Sequence, residues 1–113
     1  MVAGERGPVE KRVLEPGRVR RIRGGFSWID RRFVRDRWVD RLSSDEIALY
    51  LFLVAVADKD GLSFYSEARI AGTLKLGRED VARARGRLLE LGLIAFEPPL
   101  YQVLELEARD RPW

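Results

Sequence analysis

The fold is decided by residues 66–94, which read SEARIAGTLKLGREDVARARGRLLELGLI. Ser66 is a residue type that caps helix N-termini, and the apolar residues behind it recur at helical spacing. We therefore predict a helix from Glu67 to Leu74. Its predicted core positions are Ala68, Ile70, Ala71 and Leu74. The next three residues, Lys75-Leu76-Gly77, leave room only for a tight turn.

A second helix is predicted from Arg78 to Leu91. Glu79 and Asp80 in its first turn suit the positive end of the helix dipole, and Gly92 stands where left-handed backbone ends many helices. On this helix one face is apolar, and we assign that face to the core: Val81, Ala84, Leu88 and Leu91. Two helices joined by so short a turn form a helix-turn-helix.

The flanking segments predict the rest of the fold. Ser43-Ser44-Asp45-Glu46 matches a capping box, so a buried helix is expected from Asp45 to about Ala57. Within residues 26–42 the apolar spacing fits one helix or two short helical pieces, and we predict an N-terminal helix there. Strands are expected at residues 62–65, 93–96 and 101–106, the last two around the turn Glu97-Pro98-Pro99-Leu100. The predicted fold class is mainly α with a small β-hairpin wing, a winged helix-turn-helix. This domain is expected to span residues 26–106, between a flexible basic arm (residues 1–25) and a loose tail (residues 107–113).

Charge is unevenly distributed along the chain. Residues 1–25 carry seven basic and three acidic side chains, a balance of +4, whereas the remainder carries 14 basic and 15 acidic ones, a balance of −1. Cysteine and histidine are absent, which excludes disulfides, thiol nucleophiles and zinc sites built on thiolate or imidazole. No nucleotide-binding or nucleophile motif occurs. We therefore expect no enzyme activity, no metal, no cofactor and no small-molecule substrate.

The expected location is the cytoplasm. The first 25 residues have no apolar stretch of the length that a signal peptide needs. The longest apolar run, residues 47–57, is too short to cross a bilayer. No membrane partner is expected.

The candidate site is the face of the second helix opposite its core positions. Ala82 and Gly86 lie four residues apart there, and they leave a strip with almost no side-chain bulk, as a helix in the DNA major groove requires. Gly86 in mid-helix costs about 1 kcal/mol relative to alanine. Close approach of a partner is one reason for this glycine, and a helix crossing inside the protein is another. The remaining predicted DNA contacts are Arg78, Glu79, Arg83 and Arg87 on this helix and Ser66 and Arg69 on the preceding helix. In an alternative interpretation the arginines pair with Glu79 and Glu90 on a solvated surface.

Two N-terminal features each have two interpretations. The arm is expected either to aid solubility or to lie along phosphates or in a minor groove through Arg20, Arg21 and Arg23. The aromatic residues Phe26, Trp28, Phe33 and Trp38 are expected either to pack into the core or to anchor a homodimer, because aromatic side chains are typical interface anchors.

A resemblance to a known family rests on three segments: Ser43–Tyr50, Asp60–Tyr65 and Leu89–Ile94. They resemble bacterial winged-helix proteins of mobile elements and plasmids, in particular the N-terminal winged-helix domain of plasmid replication initiators. The resemblance implies binding of double-stranded DNA, with the second helix in the major groove and with Arg78, Arg83 and Arg87 near DNA. Because this chain lacks the family's second winged-helix domain and has an acidic, proline-rich wing, a small regulator or accessory factor fits better than a replication initiator.

Two functions of other classes stay open. A balance of −1 outside the arm is unlike the basic face usual in DNA-binding domains, which favours a winged-helix adaptor that binds protein without direct DNA binding. The second of these functions is that of a structural adaptor, which would dimerise through residues 26–38.

Overall fold

The computed structural model describes residues 9–107; the outer parts of the predicted arm and tail, residues 1–8 and 108–113, lie outside this range. Within it the α-helices are α1 (Arg32–Arg35), α2 (Ser44–Val56), α3 (Glu67–Leu74) and α4 (Arg78–Glu90). The strands are β1 (Leu62–Phe64), β2 (Ile94–Glu97) and β3 (Leu100–Val103). Single 3-10 turns occur at Pro16–Arg18 and Val39–Arg41. None of the helices in residues 9–107 combines the length and the apolar character that crossing a membrane requires.

Of the two interpretations of residues 26–42, a single helix is wrong, and two short helical pieces are observed. α1 has four residues, and the 3-10 turn at Val39–Arg41 follows it. Arg37 separates the two because its φ of 65° is left-handed backbone, which ends a right-handed helix. The segment is held to the domain by side chains instead: the rings of Phe33 and Tyr50 stack with centroids 4.7 Å apart.

The buried helix predicted from the capping box is α2, and both hydrogen bonds of the box are present. Ser43 Oγ accepts from the Glu46 N–H at 3.3 Å, and the Glu46 carboxylate accepts from the Ser43 N–H at 2.9 Å. The buried residues of α2 are Leu49, Tyr50, Leu53 and Val54. Full burial of one such aliphatic side chain contributes about 1.5–3 kcal/mol, so α2 is the centre of the core.

The predicted hairpin is present, and β1 joins it in a three-stranded antiparallel sheet of order β1-β3-β2. Tyr101 of β3 lies opposite Ser63 of β1 and Phe96 of β2. β1 and β3 are shorter than predicted, since they end at Phe64 and Val103, whereas β2 keeps its predicted length and is shifted by one residue. Gly61 in the turn after α2 has a φ of 86°, and a Cβ there would lie 2.6 Å from a backbone oxygen of β3. Only glycine therefore lets β3 run so close to this turn.

The helix-turn-helix is formed by α3 and α4, whose bounds agree with the prediction to within one residue. Ser66 Oγ caps α3 by accepting a backbone N–H at 3.1 Å. Lys75, with a φ of 61°, ends α3, and Gly92, with a φ of 74°, follows α4. Ala68 is exposed, contrary to the prediction, because it lies to one side of the core face that Ile70 marks. With the hairpin behind α4, this is the winged helix-turn-helix that the sequence predicts.

Candidate nucleic-acid interface

α4 has one face in the core and the other open to solvent. The predicted core positions Val81, Ala84 and Leu88 are buried, and Leu91 at the end of the helix is half-buried. The exposed residues of the opposite face are Glu79, Arg83, Gly86 and Glu90. The sequence therefore predicted correctly which side of α4 is available to a partner.

The strip of small residues on α4 is open at Gly86 and partly covered at Ala82. Gly86 is exposed, and a Cβ built on it would meet no atom within 4 Å. Ala82 is half-buried at the edge of the same face. The interpretation that Gly86 serves a helix crossing inside the protein is therefore wrong for residues 9–107. What remains is the cost of a mid-helix glycine, about 1 kcal/mol, with no internal packing to offset it.

The arginines next to this strip are paired with acidic neighbours on the same helix. Arg83 Nη1 donates to Asp80 at 2.8 Å, and Arg87 Nη1 donates to Glu90 at 2.9 Å. The i, i+3 spacing of each pair is the signal by which the sequence predicts such contacts. The alternative interpretation of a solvated ionic face is thus half right: Glu90 is a partner, but Asp80 takes the place of Glu79.

These pairs are too weak to withhold the arginines from another partner. The Arg83 side chain is 67% exposed in its pair with Asp80, and Arg78 of the same helix has its Nε 3.7 Å from a Glu67 carboxylate oxygen. Exposed ion pairs contribute about 0–1 kcal/mol and are screened by salt. The three predicted contact arginines therefore remain available at low energetic cost.

Arg85 differs from the other arginines of α4 because it supports the fold. Its side chain is 18% exposed. It donates to Glu67 Oε2 at 3.0 Å and to the Tyr101 hydroxyl at 3.2 Å, and its guanidinium lies 4.6 Å from the Phe96 ring centroid. Arg85 thereby joins α4 to α3 and to the sheet, and it is not part of the open face.

We expect Arg85→Ala to lower the free energy of unfolding by about 2 kcal/mol, because it removes a charged hydrogen bond and a cation–π contact and leaves the partners unpaired. The measurement is urea denaturation of the full chain followed by circular dichroism. Arg83→Ala is the matched control, with an expected loss below about 0.5 kcal/mol. Equal losses in the two variants would contradict the structural role of Arg85.

The predicted contacts on α3 lie at its N-terminal end. Ser66 uses its hydroxyl oxygen as the helix cap, accepting from the Arg69 N–H. The Arg69 side chain is exposed, with its guanidinium 5.9 Å from the Tyr65 ring centroid, and it forms no ion pair within residues 9–107. Arg69 is therefore free to reach a phosphate, whereas the Ser66 hydroxyl oxygen is already used as the N-cap of α3.

The arm is not brought to α4. In its described part, residues 9–25, every side chain is exposed, Arg20, Arg21 and Arg23 among them. No hydrogen bond or ion pair joins this part to residues 26–107. A contribution of the arm to DNA binding thus stays a prediction.

The four aromatic residues proposed as dimer anchors divide into two pairs. Phe33 and Trp38 are 3% and 7% exposed in the core, so the prediction that they anchor a homodimer is wrong. Phe26 and Trp28 are 66% and 82% exposed, with ring centroids 5.8 Å apart. Phe33 stacks on Tyr50 of α2, whereas Phe26 and Trp28 precede α1 and lie outside the core.

The wing turn lacks any basic residue and is flanked by apolar side chains. Glu97, Pro98 and Pro99 are exposed, and Leu100 lies directly opposite Phe64 on the neighbouring strand. Phe64 and Leu100 are 70% and 42% exposed. The sequence did not predict this exposed pair, because the cross-strand register that creates it is a tertiary feature. The turn offers no cation to a phosphate.

Comparison with known proteins identifies one family. Residues 40–94, from the 3-10 turn before α2 to the start of β2, match the model of a family described as a helix-turn-helix domain. The chain matches no curated protein and no solved structure. Within residues 9–107 no group of three or more acidic side chains is placed to hold a metal ion. The family match and the geometry of α3, α4 and the hairpin agree: residues 40–94 are similar to that helix-turn-helix family, and the structure builds them as a winged helix.

Proposed function

We propose that this protein binds double-stranded DNA by inserting α4 into the major groove. The observation that carries the proposal is the open surface at Gly86, because a mid-helix glycine that packs against nothing in residues 9–107 is explained by close approach of a partner. Helix-turn-helix domains place their second helix in this groove, and they typically bind rather than catalyse.

The interaction energies of the arginines favour contacts with DNA over the ion pairs within the protein. A bidentate arginine–guanine contact contributes about 1–3 kcal/mol of discrimination, whereas an exposed ion pair contributes about 0–1 kcal/mol. Residues 66–91 carry six basic and four acidic side chains, a balance of +2. Arg78, Arg83 and Arg87 would read bases or clamp phosphates, Glu79 would lie at the groove, and Ser66 and Arg69 would contact the backbone of the duplex.

The more specific role that we propose is a small regulator of transcription or an accessory factor for replication or a mobile element, acting in the bacterial cytoplasm. Its support is the resemblance to the winged-helix domain of plasmid replication initiators. Arg20, Arg21 and Arg23 of the arm would add affinity along phosphates or in the minor groove. A homodimer is part of this proposal, with Phe26 and Trp28 as the exposed aromatic anchors that remain.

A second candidate is a winged-helix adaptor that binds protein. It is favoured by the self-paired arginines of α4 and by the wing turn, whose exposed surface is acidic and apolar rather than basic. In that case the strip at Gly86 would receive a helix or loop of another protein instead of a duplex.

Fluorescence anisotropy of the full chain with a labelled duplex of mixed sequence separates the two candidates. Binding that involves about three phosphates predicts an affinity roughly 40-fold lower when the salt concentration is raised from about 50 to 200 mM. A single-stranded probe of the same charge is the control, since groove insertion requires a duplex. Absence of binding at the lower salt concentration would contradict DNA binding and favour the adaptor.

A further inference from the structure

The molecule has a second candidate surface, a groove to which α3 and α4 contribute no lining residue. Its walls are the segment Ser27–Asp30, the C-terminal half of α2, the turn at residues 58–61, and the end of β3 with the chain that follows it, residues 103–106. Trp28 and Ile29, 82% and 52% exposed, form the outer apolar wall. The hydrogen bond from Ser27 Oγ to the Ala55 carbonyl, 3.2 Å long, holds this wall against α2.

The rim of this groove is negative. Four carboxylates line it, those of Asp30, Asp58, Asp60 and Glu105. Two cations lie beside them, Lys59 at 3.7 Å from Asp60 and Arg32 at 2.6 Å from Asp30, so the local balance is −2. The hydrogen bond from Arg32 lowers the pKa of Asp30, and backbone N–H groups lower the pKa of Asp58, so both carboxylates stay ionised well below neutral pH. Asp60 and Glu105 are exposed, and Glu105 forms no ion pair within residues 9–107. The groove is thus built for a cationic segment with apolar side chains.

The chain itself carries such a segment. Residues 18–23 read RVRRIR, with four arginines and no acidic residue. Val19 and Ile22 within it are 60% and 46% exposed. These apolar side chains are therefore not buried in the core of residues 9–107. An arm with large exposed apolar residues and a surplus of arginines is complementary to the groove in both charge and polarity.

We propose that residues 18–23 of a second copy of this chain bind in the groove, with the arginines facing the carboxylates and with Val19 and Ile22 packed on Trp28 and Ile29. A cation over the face of Trp28 adds to the attraction. Residues 9–25 of the same chain are exposed and do not line the groove, so the occupant that we propose is the arm of another molecule. This inference rests on the homodimer proposed above and names the contact that forms it; in the dimer, residues 18–23 are used for this contact in place of the DNA contact proposed for Arg20, Arg21 and Arg23.

Charge exchange in the full chain tests the inference by sedimentation velocity. One variant reverses the arm (Arg20→Glu with Arg21→Glu), and the other reverses the groove (Asp60→Lys with Glu105→Lys). All four side chains are exposed, so folding is retained. We expect the wild type to dimerise, each variant alone to dimerise at least 10-fold more weakly, and their equimolar mixture to recover an affinity within about 3-fold of wild type, because a heterodimer restores both arm–groove contacts. Glu79→Lys with Glu97→Lys is the control of equal charge change outside the groove, and it should leave the affinity within about 3-fold.

Three results would overturn the inference. A wild type that stays monomeric at every concentration and at low salt removes both the homodimer and the arm contact, while DNA binding is judged separately by anisotropy. A dimer that both reversals leave unchanged has its interface elsewhere. Reversals that weaken the dimer without recovery in the mixture show that the arm and the groove do not contact each other.

Discussion

Arg83→Glu should weaken binding to duplex DNA at least about 30-fold at low salt, the equivalent of about 2 kcal/mol. Arg83 lies beside the strip of Ala82 and Gly86 on the open face of α4, so its guanidinium is placed to pair with a base edge or a phosphate. The substitution removes that contact and puts a negative charge at the groove. The measurement is a fluorescence-anisotropy titration of the full chain with a labelled duplex at two salt concentrations.

The matched control is Arg35→Glu. Arg35 is exposed on α1, and its replacement changes the net charge of the chain by the same amount. We expect that variant to retain affinity within about 3-fold. If both variants lose affinity equally, the binding depends on net charge alone and α4 has no special role. The free energy of unfolding of the Arg83→Glu variant should stay within about 1 kcal/mol of wild type, because the ion pair that Arg83 loses is exposed.

The elements around the site could be predicted because local signals fix them. Ser43 and Ser66 mark the starts of α2 and α3 through hydrogen bonds to the backbone of the first turn, and Gly92 follows α4 with the left-handed backbone expected of it. These interactions act within a few residues, so the sequence alone specifies them. The alternation of buried and exposed residues on α4 follows for the same reason, from helical spacing.

The N-terminal segment could not be predicted in the same way. Left-handed backbone at Arg37 divides it, and arginine carries no sequence signal for that conformation, unlike glycine or asparagine. Which aromatic residues are buried depends on packing against α2: Phe33 stacks on Tyr50, whereas Trp28 lies outside. That difference arises from tertiary contacts, and so does the groove beside Trp28.

The arginines of α4 illustrate the same limit at the site. Helical spacing puts Arg85 at the edge of the open face, but its side chain turns to Glu67 and Tyr101. Both partners are distant in sequence, so the pattern on α4 alone could not reveal them. The arginines of α4 therefore differ in role. Arg85 joins α4 to its neighbours, whereas Arg83 and Arg87 form exposed ion pairs that a partner can break at low energetic cost.

The central claim is that the Gly86 side of α4 must come close to DNA, and a graded series at this position tests it most directly. Gly86→Ala and then Gly86→Leu add bulk where no atom lies within 4 Å. Because both residues favour helix over glycine by up to about 1 kcal/mol, stability should stay the same or rise. Gly72→Leu is the matched control, an exposed mid-helix glycine of α3 with the same free space.

The measurement is the duplex affinity of these variants by anisotropy, with urea denaturation to confirm folding. We expect Gly86→Leu to bind duplex DNA at least about 50-fold more weakly than wild type, Gly86→Ala to fall between them, and Gly72→Leu to bind within about 3-fold of wild type. A folded Gly86→Leu variant that binds duplex DNA as tightly as the wild type would contradict insertion of α4 into the groove.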